Sequence, residues 1–256
     1  SKGNYTDPMT NIDKFGADAL RYYLMASPIM QAEDLKFSDE EIKDAHNKVL
    51  NILINTFKFF ELYQNEYDGK TKSEDSENIL DRWIIAKLNI LAQEVTDGLE
   101  SYNTVKAGRP IKDFVNEFST WYVRRSRDRV KGDDEKDKQF ALAAMKYVFT
   151  ELSKIIAPFM PFVAENLYRK AGGSKESVHL EEWAFASLKI KSKISNLKSK
   201  EKMPDEKLLE EMEEVRKIVS LGLEARAKAN IKVRQPLASL KIKSKISNLK
   251  SQEQSL

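Results

Sequence analysis

The stretch IKDFVNEFSTWYVRRSRDRV, residues 111–130, decides the fold that this chain can adopt. At 100° per residue its large apolar side chains share one helix face, namely Ile111, Phe114, Val115, Phe118, Trp121 and Tyr122. The pattern therefore predicts a long amphipathic helix. We expect Trp121 and Tyr122 in the core of a helical domain rather than stacked on the bases of a nucleic acid.

The four arginines at the end of this stretch divide by direction. Arg125 and Arg129 continue the apolar face, and for them a guanidinium paired with a carboxylate at the edge of the core is the favoured interpretation. Arg124 and Arg127 point the other way. For these two, contact with a phosphate and simple solvation remain alternatives.

Helical periodicity recurs on both sides of this stretch, and glycine and proline are scarce. Ser38 followed by three acidic residues is typical of a helix start. The spacing predicts helices over residues 12–23, 38–62, 78–95, 111–130 and 140–156, with a break or kink at 102–110. Four long amphipathic helices joined by short polar turns predict a mainly α protein built as an antiparallel helical bundle.

The pattern changes after residue 183. Residues 186–199 recur without change at 238–251, and each copy alternates apolar residues with lysines at the period of a strand. Between the copies, residues 204–229 have helical spacing. We therefore predict a small α+β C-terminal appendage over 184–256 with a duplicated basic strand. A recent duplication or an artefact of gene assembly is favoured over a functional pair of strands.

Composition excludes several classes of protein. With 43 basic and 40 acidic side chains the formal net charge is only +3, so contact with a polyanion must come from local patches. The chain has no cysteine and only two histidines, His46 and His179, so neither a metal site nor a catalytic residue is predicted. No apolar run approaches the ~20 residues of a membrane span, and the start has no signal peptide. We expect a soluble, cytoplasmic, monomeric protein that makes no membrane contact.

Several motifs follow one another in the order found in class I isoleucyl-tRNA synthetases, and the chain resembles the C-terminal part of that family. They are SKGN (1–4), FGADALR (15–21), DRWI (81–84), WYVRRSR (121–127), APFMPF (157–162), SVHL (177–180), ARAK (225–228) and IKVRQPL (231–237). The resemblance implies three parts. Residues 1–40 would be the tail of a catalytic domain with a stem-contact segment, 41–183 an anticodon-binding helical bundle, and 184–256 the appendage.

The resemblance also implies a division of labour within the whole enzyme. That enzyme would join isoleucine to its tRNA, using ATP and Mg²⁺. Ser1, Lys2, Gly3 and Asn4 would be the remnant of its ATP-binding signature loop, whose lysine would precede Ser1. Because the catalytic core would lie upstream, we expect this part to hold no cofactor, to be inactive alone and to position the anticodon stem-loop.

Outward helical phase and basic turns select the candidate RNA contacts. They are Arg124 and Arg127, followed by Lys106, Arg109, Lys232 and Arg234. Two alternatives stay open at this stage. One is the anticodon-binding region of a valyl-, leucyl- or methionyl-tRNA synthetase, and the other is a free-standing, non-catalytic bundle that binds RNA or protein.

Overall fold

The computed structural model describes residues 6–34, 37–183, 204–237 and 239. These ranges contain ten α-helices, with short 3₁₀ and π turns and without a β-strand. The helices are α1 (Pro8–Phe15), α2 (Ala17–Met25), α3 (Asp39–Ala45), α4 (Asn51–Tyr63), α5 (Ile79–Glu100), α6 (Thr104–Glu117), α7 (Arg124–Lys131), α8 (Glu135–Ile156), α9 (Pro161–Lys170) and α10 (Pro204–Lys228). The prediction of a mainly α helical bundle is confirmed.

Four long helical segments form the bundle. They are α4, α5, the continuous run of α6 and α7 through a π turn at Phe118–Val123, and α8. Phe149 of α8 lies at their centre, with ring centroids 4.9 Å from Phe57, 5.5 Å from Phe60 and 5.0 Å from Phe118. Each of these side chains is almost fully buried, which stabilises the fold by about 1.5–3 kcal/mol apiece.

Two side chains of α2 tie the N-terminal helices to the bundle. The Tyr22 hydroxyl donates to the Gly108 carbonyl of α6 at 3.0 Å. The carboxylate of Asp18 accepts from the N–H groups of Phe162 and Val163, at 3.4 and 2.7 Å, at the start of α9. Burial raises the pKa of Asp18, and these two hydrogen bonds oppose that rise.

Three helix boundaries differ from those predicted. The pattern over 12–23 is two helices, because Gly16 adopts a φ of 84° and ends α1. The predicted break at 102–110 is shorter and earlier, at residues 101–103: the Asn103 side chain caps α6, which then runs through Pro110. Asp134 caps α8 in the same way, so α8 begins five residues before the predicted start at Phe140.

The C-terminal unit is described separately. Its helix α10 (Pro204–Lys228) confirms the prediction of a helix over 204–229. The Arg226 guanidinium donates to the carbonyls of Lys232, at 2.6 Å, and of Val233 and Gln235, which folds the following segment back along the end of α10. The first copy of the predicted strand, the second copy apart from residue 239, and the predicted loop remnant at 1–4 lie outside the described residues.

Helices α5 and α6 approach each other so closely at Gly98 that a side chain has no space there. A Cβ on Gly98 would lie 2.7–2.8 Å from the backbone nitrogen, Cα and Cβ of Ala107. Since the obstructing atoms include backbone, the contact cannot relax by a rotamer change. The three-residue turn between the two helices depends on this contact.

Gly98→Ala is therefore expected to lower the free energy of unfolding by about 1–3 kcal/mol, the usual effect of overpacking. Gly222→Ala is the matched control, because a Cβ there meets nothing within 4 Å. In a helix interior it should stabilise α10 by about 0.5–1 kcal/mol. Urea unfolding followed by circular dichroism measures both, and equal effects of the two substitutions would contradict the packing argument.

Candidate nucleic-acid interface

A buried carboxylate at the start of α5 fixes the position of the arginine-rich helix α7. Asp81 is fully buried and accepts four hydrogen bonds. Two come from the Arg129 guanidinium, both at 2.8 Å, and the others from the hydroxyls of Tyr122 and Ser76, both at 2.6 Å. The bidentate geometry aligns the guanidinium with the carboxylate plane and so fixes the rotation of α7 about its axis.

Arg129 also binds a second carboxylate, that of Asp137 in the first turn of α8. The two hydrogen bonds measure 2.8 Å from Nε and 2.7 Å from Nη2. The Asn78 side chain, which caps α5, donates to the same carboxylate at 3.3 Å. One guanidinium thus joins the starts of α5 and α8 to the end of α7, which confirms the predicted pairing of Arg129 with a carboxylate.

The electrostatics of this cluster favour the ion pair. Burial by itself would lower the pKa of the Arg129 guanidinium, but the hydrogen bonds that it donates to Asp81 and Asp137 raise that pKa above its ordinary value. The hydrogen bonds that Asp137 accepts from Arg129 hold the pKa of this carboxylate below its usual range. Burial, followed by the Asp81 charge, raises the pKa of Tyr122 well above normal. Arg129 therefore stays positively charged, Asp137 negatively charged and Tyr122 neutral across the physiological pH range.

The π turn at Phe118–Val123 changes which arginines face the core. A π turn holds one more residue than an α turn and rotates all later side chains by roughly 100°. Tyr122 is fully buried as predicted, but Trp121 is only half-buried. Arg125, predicted to continue the apolar face, is exposed instead, and its guanidinium lies 3.9 Å from the Trp121 ring centroid.

The structure separates the candidate RNA contacts into three groups. Arg124 and Arg127 are exposed on one side of α7, as their outward phase predicts, and the Arg127 guanidinium lies 5.5 Å from the ring centroid of Phe59 in α4. Lys106 and Arg109 are exposed together at the start of α6. Eighteen residues of helix put this second group about 27 Å from the first.

The third group, Lys232 and Arg234, is exposed on the segment that follows α10 in the separate C-terminal unit. Within residues 6–34, 37–183, 204–237 and 239, no three histidine or acidic side chains gather as a possible metal site. A search of the same ranges finds no helix long and apolar enough to cross a membrane.

Sequence reasoning missed two parts of this site. Asp81 was noted only as part of the DRWI motif, and nothing in the sequence showed that it is the buried partner of Arg129. Phe59 was not among the candidate residues. Its position beside Arg127 depends on tertiary packing and has no local signal.

A family model described as the anticodon-binding domain of tRNA ligase matches residues 81–243, more than half of the chain. The chain belongs to this family. A second family model, described as class I tRNA synthetases (M), matches residues 1–59. Helices α5 to α8, apart from the first two residues of α5, thus lie within the segment that this family model matches. The exposed arginines of α7 lie there as well.

Curated relatives of this anticodon-binding domain carry the name isoleucine–tRNA ligase. The chain is 36% identical to that of Chlamydia abortus over 240 residues and to that of Chlamydia trachomatis serovar D over 238 residues. Each alignment covers 91% of this chain and 22% of the relative, so the chain spans about a fifth of the length of the relatives it matches.

A solved structure supports the fold alone. It is the ternary complex of Agrobacterium radiobacter K84 agnB2 LeuRS with tRNA and LeuAMS, matched with a TM-score of 0.51 at 23% identity. The match covers 72% of this chain and 21% of that one. The helical bundle is therefore shared beyond the isoleucine–tRNA ligases.

Removing the buried carboxylate should unfold the domain more easily. Asp81→Ala leaves the Arg129 charge buried with half of its partners, which typically costs about 3–5 kcal/mol. Asp44→Ala is the matched control, since Asp44 forms an exposed pair with Lys48 and its removal should leave the urea midpoint nearly unchanged. A small effect of Asp81→Ala would show that Asp137 alone can hold α7.

Proposed function

We propose that this chain is the tRNA-positioning part of an isoleucine–tRNA ligase, and that the whole ligase joins isoleucine to its tRNA using ATP. The observation that supports this most directly is the anticodon-binding family match over residues 81–243, together with the names of the relatives at 36% identity. We also propose the division into 1–40, 41–183 and 184–256, with the bundle holding the anticodon stem-loop.

In this proposal α7 supplies the principal RNA contact. Because Arg129 is committed to Asp81 and Asp137, it anchors the helix while Arg124 and Arg127 remain directed outward. An exposed guanidinium can donate two parallel hydrogen bonds to one phosphate, which a lysine cannot do. Lys106 and Arg109 would bind a more distant part of the RNA backbone, near the N-terminus of α6, where the helix dipole favours anions.

Amino-acid activation is assigned to other parts of the ligase. We derive no step through ATP or Mg²⁺ from these helices and propose that the chain alone is inactive. Its contribution to the reaction is to hold the far end of the tRNA in a fixed place.

Isoleucine is the proposed amino acid because the relatives at 35–36% identity are named for it. The leucine enzyme of the solved complex shares only 23% identity. The valine, leucine and methionine enzymes remain alternatives that a binding comparison separates. A chain that reads the anticodon should prefer isoleucine tRNA over a leucine tRNA, and should keep that preference at physiological salt.

The experiment measures binding of isoleucine tRNA to the parent chain and to Arg124→Ala/Arg127→Ala across a salt series. We expect the double variant to bind at least about tenfold more weakly, since hydrogen bonds to charged groups contribute about 1.5–3 kcal/mol each. The slope of log K against log salt should fall by about 1.4–1.8 for two lost phosphate contacts. Circular dichroism should be unchanged because both side chains are exposed.

Arg169→Ala/Lys175→Ala is the matched control for this experiment. It also removes two positive charges, those of the exposed Arg169 and Lys175, which pair with the less exposed Glu165 and Glu181, so bulk electrostatics change equally. If both double variants lose the same affinity, the RNA responds only to net charge and α7 is not the contact. Equal binding of isoleucine and leucine tRNA by the parent chain would contradict the isoleucine assignment.

A further inference from the structure

An aromatic pair lies on the outer flank of α4, next to the arginines of α7. Phe59 and Tyr63 stand one helical turn apart, with ring centroids 5.3 Å apart and planes tilted by 52°. Both side chains are half-buried. Leu62, between them in sequence, is 74% exposed. The flank thus presents a contiguous apolar surface to its surroundings.

This surface is separate from the side of α4 that packs in the core. The core side consists of Leu53, Thr56, Phe57 and Phe60, each of which is buried. Phe59 and Tyr63 fall outside that stripe, so the bundle does not need their rings to close its interior. Helix formation does not favour them either, since aromatic residues have lower helix propensity than leucine or glutamate.

Basic side chains surround the aromatic pair, and the acids of the same helix are committed elsewhere. The Arg127 guanidinium lies 5.5 Å from the Phe59 ring centroid, and Lys58 is exposed beside it. Glu61 of α4 pairs with Lys170 at 2.7 Å. Glu66, just beyond α4, pairs with Lys138 of α8. The surface around Phe59 therefore combines rings with positive charge.

We propose that Phe59 and Tyr63 form a stacking platform for an unpaired base of the bound RNA loop, while Arg127 holds the adjacent phosphate. This inference rests on the proposed function of tRNA binding. Every base has a flat π face, so aromatic rings interleaved with cations are the usual surface for single-stranded RNA. Arg127 can lie over the Phe59 ring and bind a phosphate at the same time, because a guanidinium stacked on a ring still directs its N–H groups outward.

RNA is the occupant that these observations favour over a protein partner. Protein interfaces are depleted in lysine, whereas this surface carries the exposed Lys58 immediately beside the rings, in addition to Arg127. The Arg124 side chain, exposed one turn before Arg127, adds a third cation on the same stretch of α7. A polyanion with flat bases satisfies the rings and the cations together.

The test replaces the rings with aliphatic side chains of similar hydrophobicity. Phe59→Leu/Tyr63→Leu should weaken binding of isoleucine tRNA on the order of tenfold, while the slope of log K against log salt stays unchanged because no charge is lost. Tyr63→Phe keeps the ring and should bind like the parent chain. Tyr63→Leu alone should give an intermediate loss, and circular dichroism verifies that each variant is folded.

Tyr102→Leu is the matched control. Tyr102 is 93% exposed in the turn between α5 and α6, next to Asn103, which caps α6. Its replacement removes a more exposed ring from a distant place and should leave affinity unchanged. A loss for Tyr102→Leu without a loss for Phe59→Leu/Tyr63→Leu would overturn the proposal and move the base contact to the α5–α6 turn.

A second readout detects stacking directly. Isoleucine tRNA carrying 2-aminopurine at single positions of the anticodon loop should change fluorescence on binding the parent chain, and lose that change at one position with Phe59→Leu/Tyr63→Leu. One outcome would contradict the platform and leave the proposed function standing. In it, the parent chain binds tRNA and Arg124→Ala/Arg127→Ala weakens that binding, but the leucine variants match the parent chain in affinity and fluorescence. If the parent chain binds no tRNA, the proposed function fails and the platform fails with it.

Discussion

The buried ion pair between Asp81 and Arg129 is the constraint on which the rest of the bundle depends. Removing two charges from water costs several kcal/mol each, and that cost is offset only when geometry is good and the remaining lone pairs are satisfied. Here Asp81 receives four hydrogen bonds and Arg129 adds a second carboxylate, Asp137. Apolar packing alone would tolerate small rotations of α7 about its axis, whereas this hydrogen-bond network is satisfied in only one orientation of the helix. Its energetic value therefore lies in specifying the arrangement of α5, α7 and α8.

Much of this architecture could be predicted from local signals, and the failures have physical causes. Apolar spacing locates α5 and α10, and the aromatic stripe locates the run through α6 and α7. A uniform 100° per residue cannot anticipate the π turn, so Arg125 was placed on the wrong side. Pro110 suggested a break, yet its missing N–H frees only the carbonyl of Lys106, which is exposed and can bind water.

The candidate site shows the same division between local and tertiary information. Arg124 and Arg127 are exposed as predicted even after the rotation introduced by the π turn, because the buried side chains of α7 are Ser126 and Val130. The neighbour of Arg127 does not follow from the sequence, since Phe59 belongs to a helix far away in sequence that only packing brings to 5.5 Å. A phenylalanine at helical spacing is read as core by default. Only the burial of Phe57 and Phe60 on the opposite flank shows that Phe59 is not needed there.

A chain with a net charge of only +3 can still bind a polyanion if its acids are committed elsewhere. In this bundle Asp81 and Asp137 neutralise Arg129, while Glu61 and Glu66 neutralise Lys170 and Lys138. Each pair removes one acid from the field felt near α7 without removing its exposed arginines. Because the Debye length at physiological salt is about 8 Å, only charges near the surface in question matter to a docking phosphate. For the proposed RNA contact, local pairing around α7 therefore matters more than total charge.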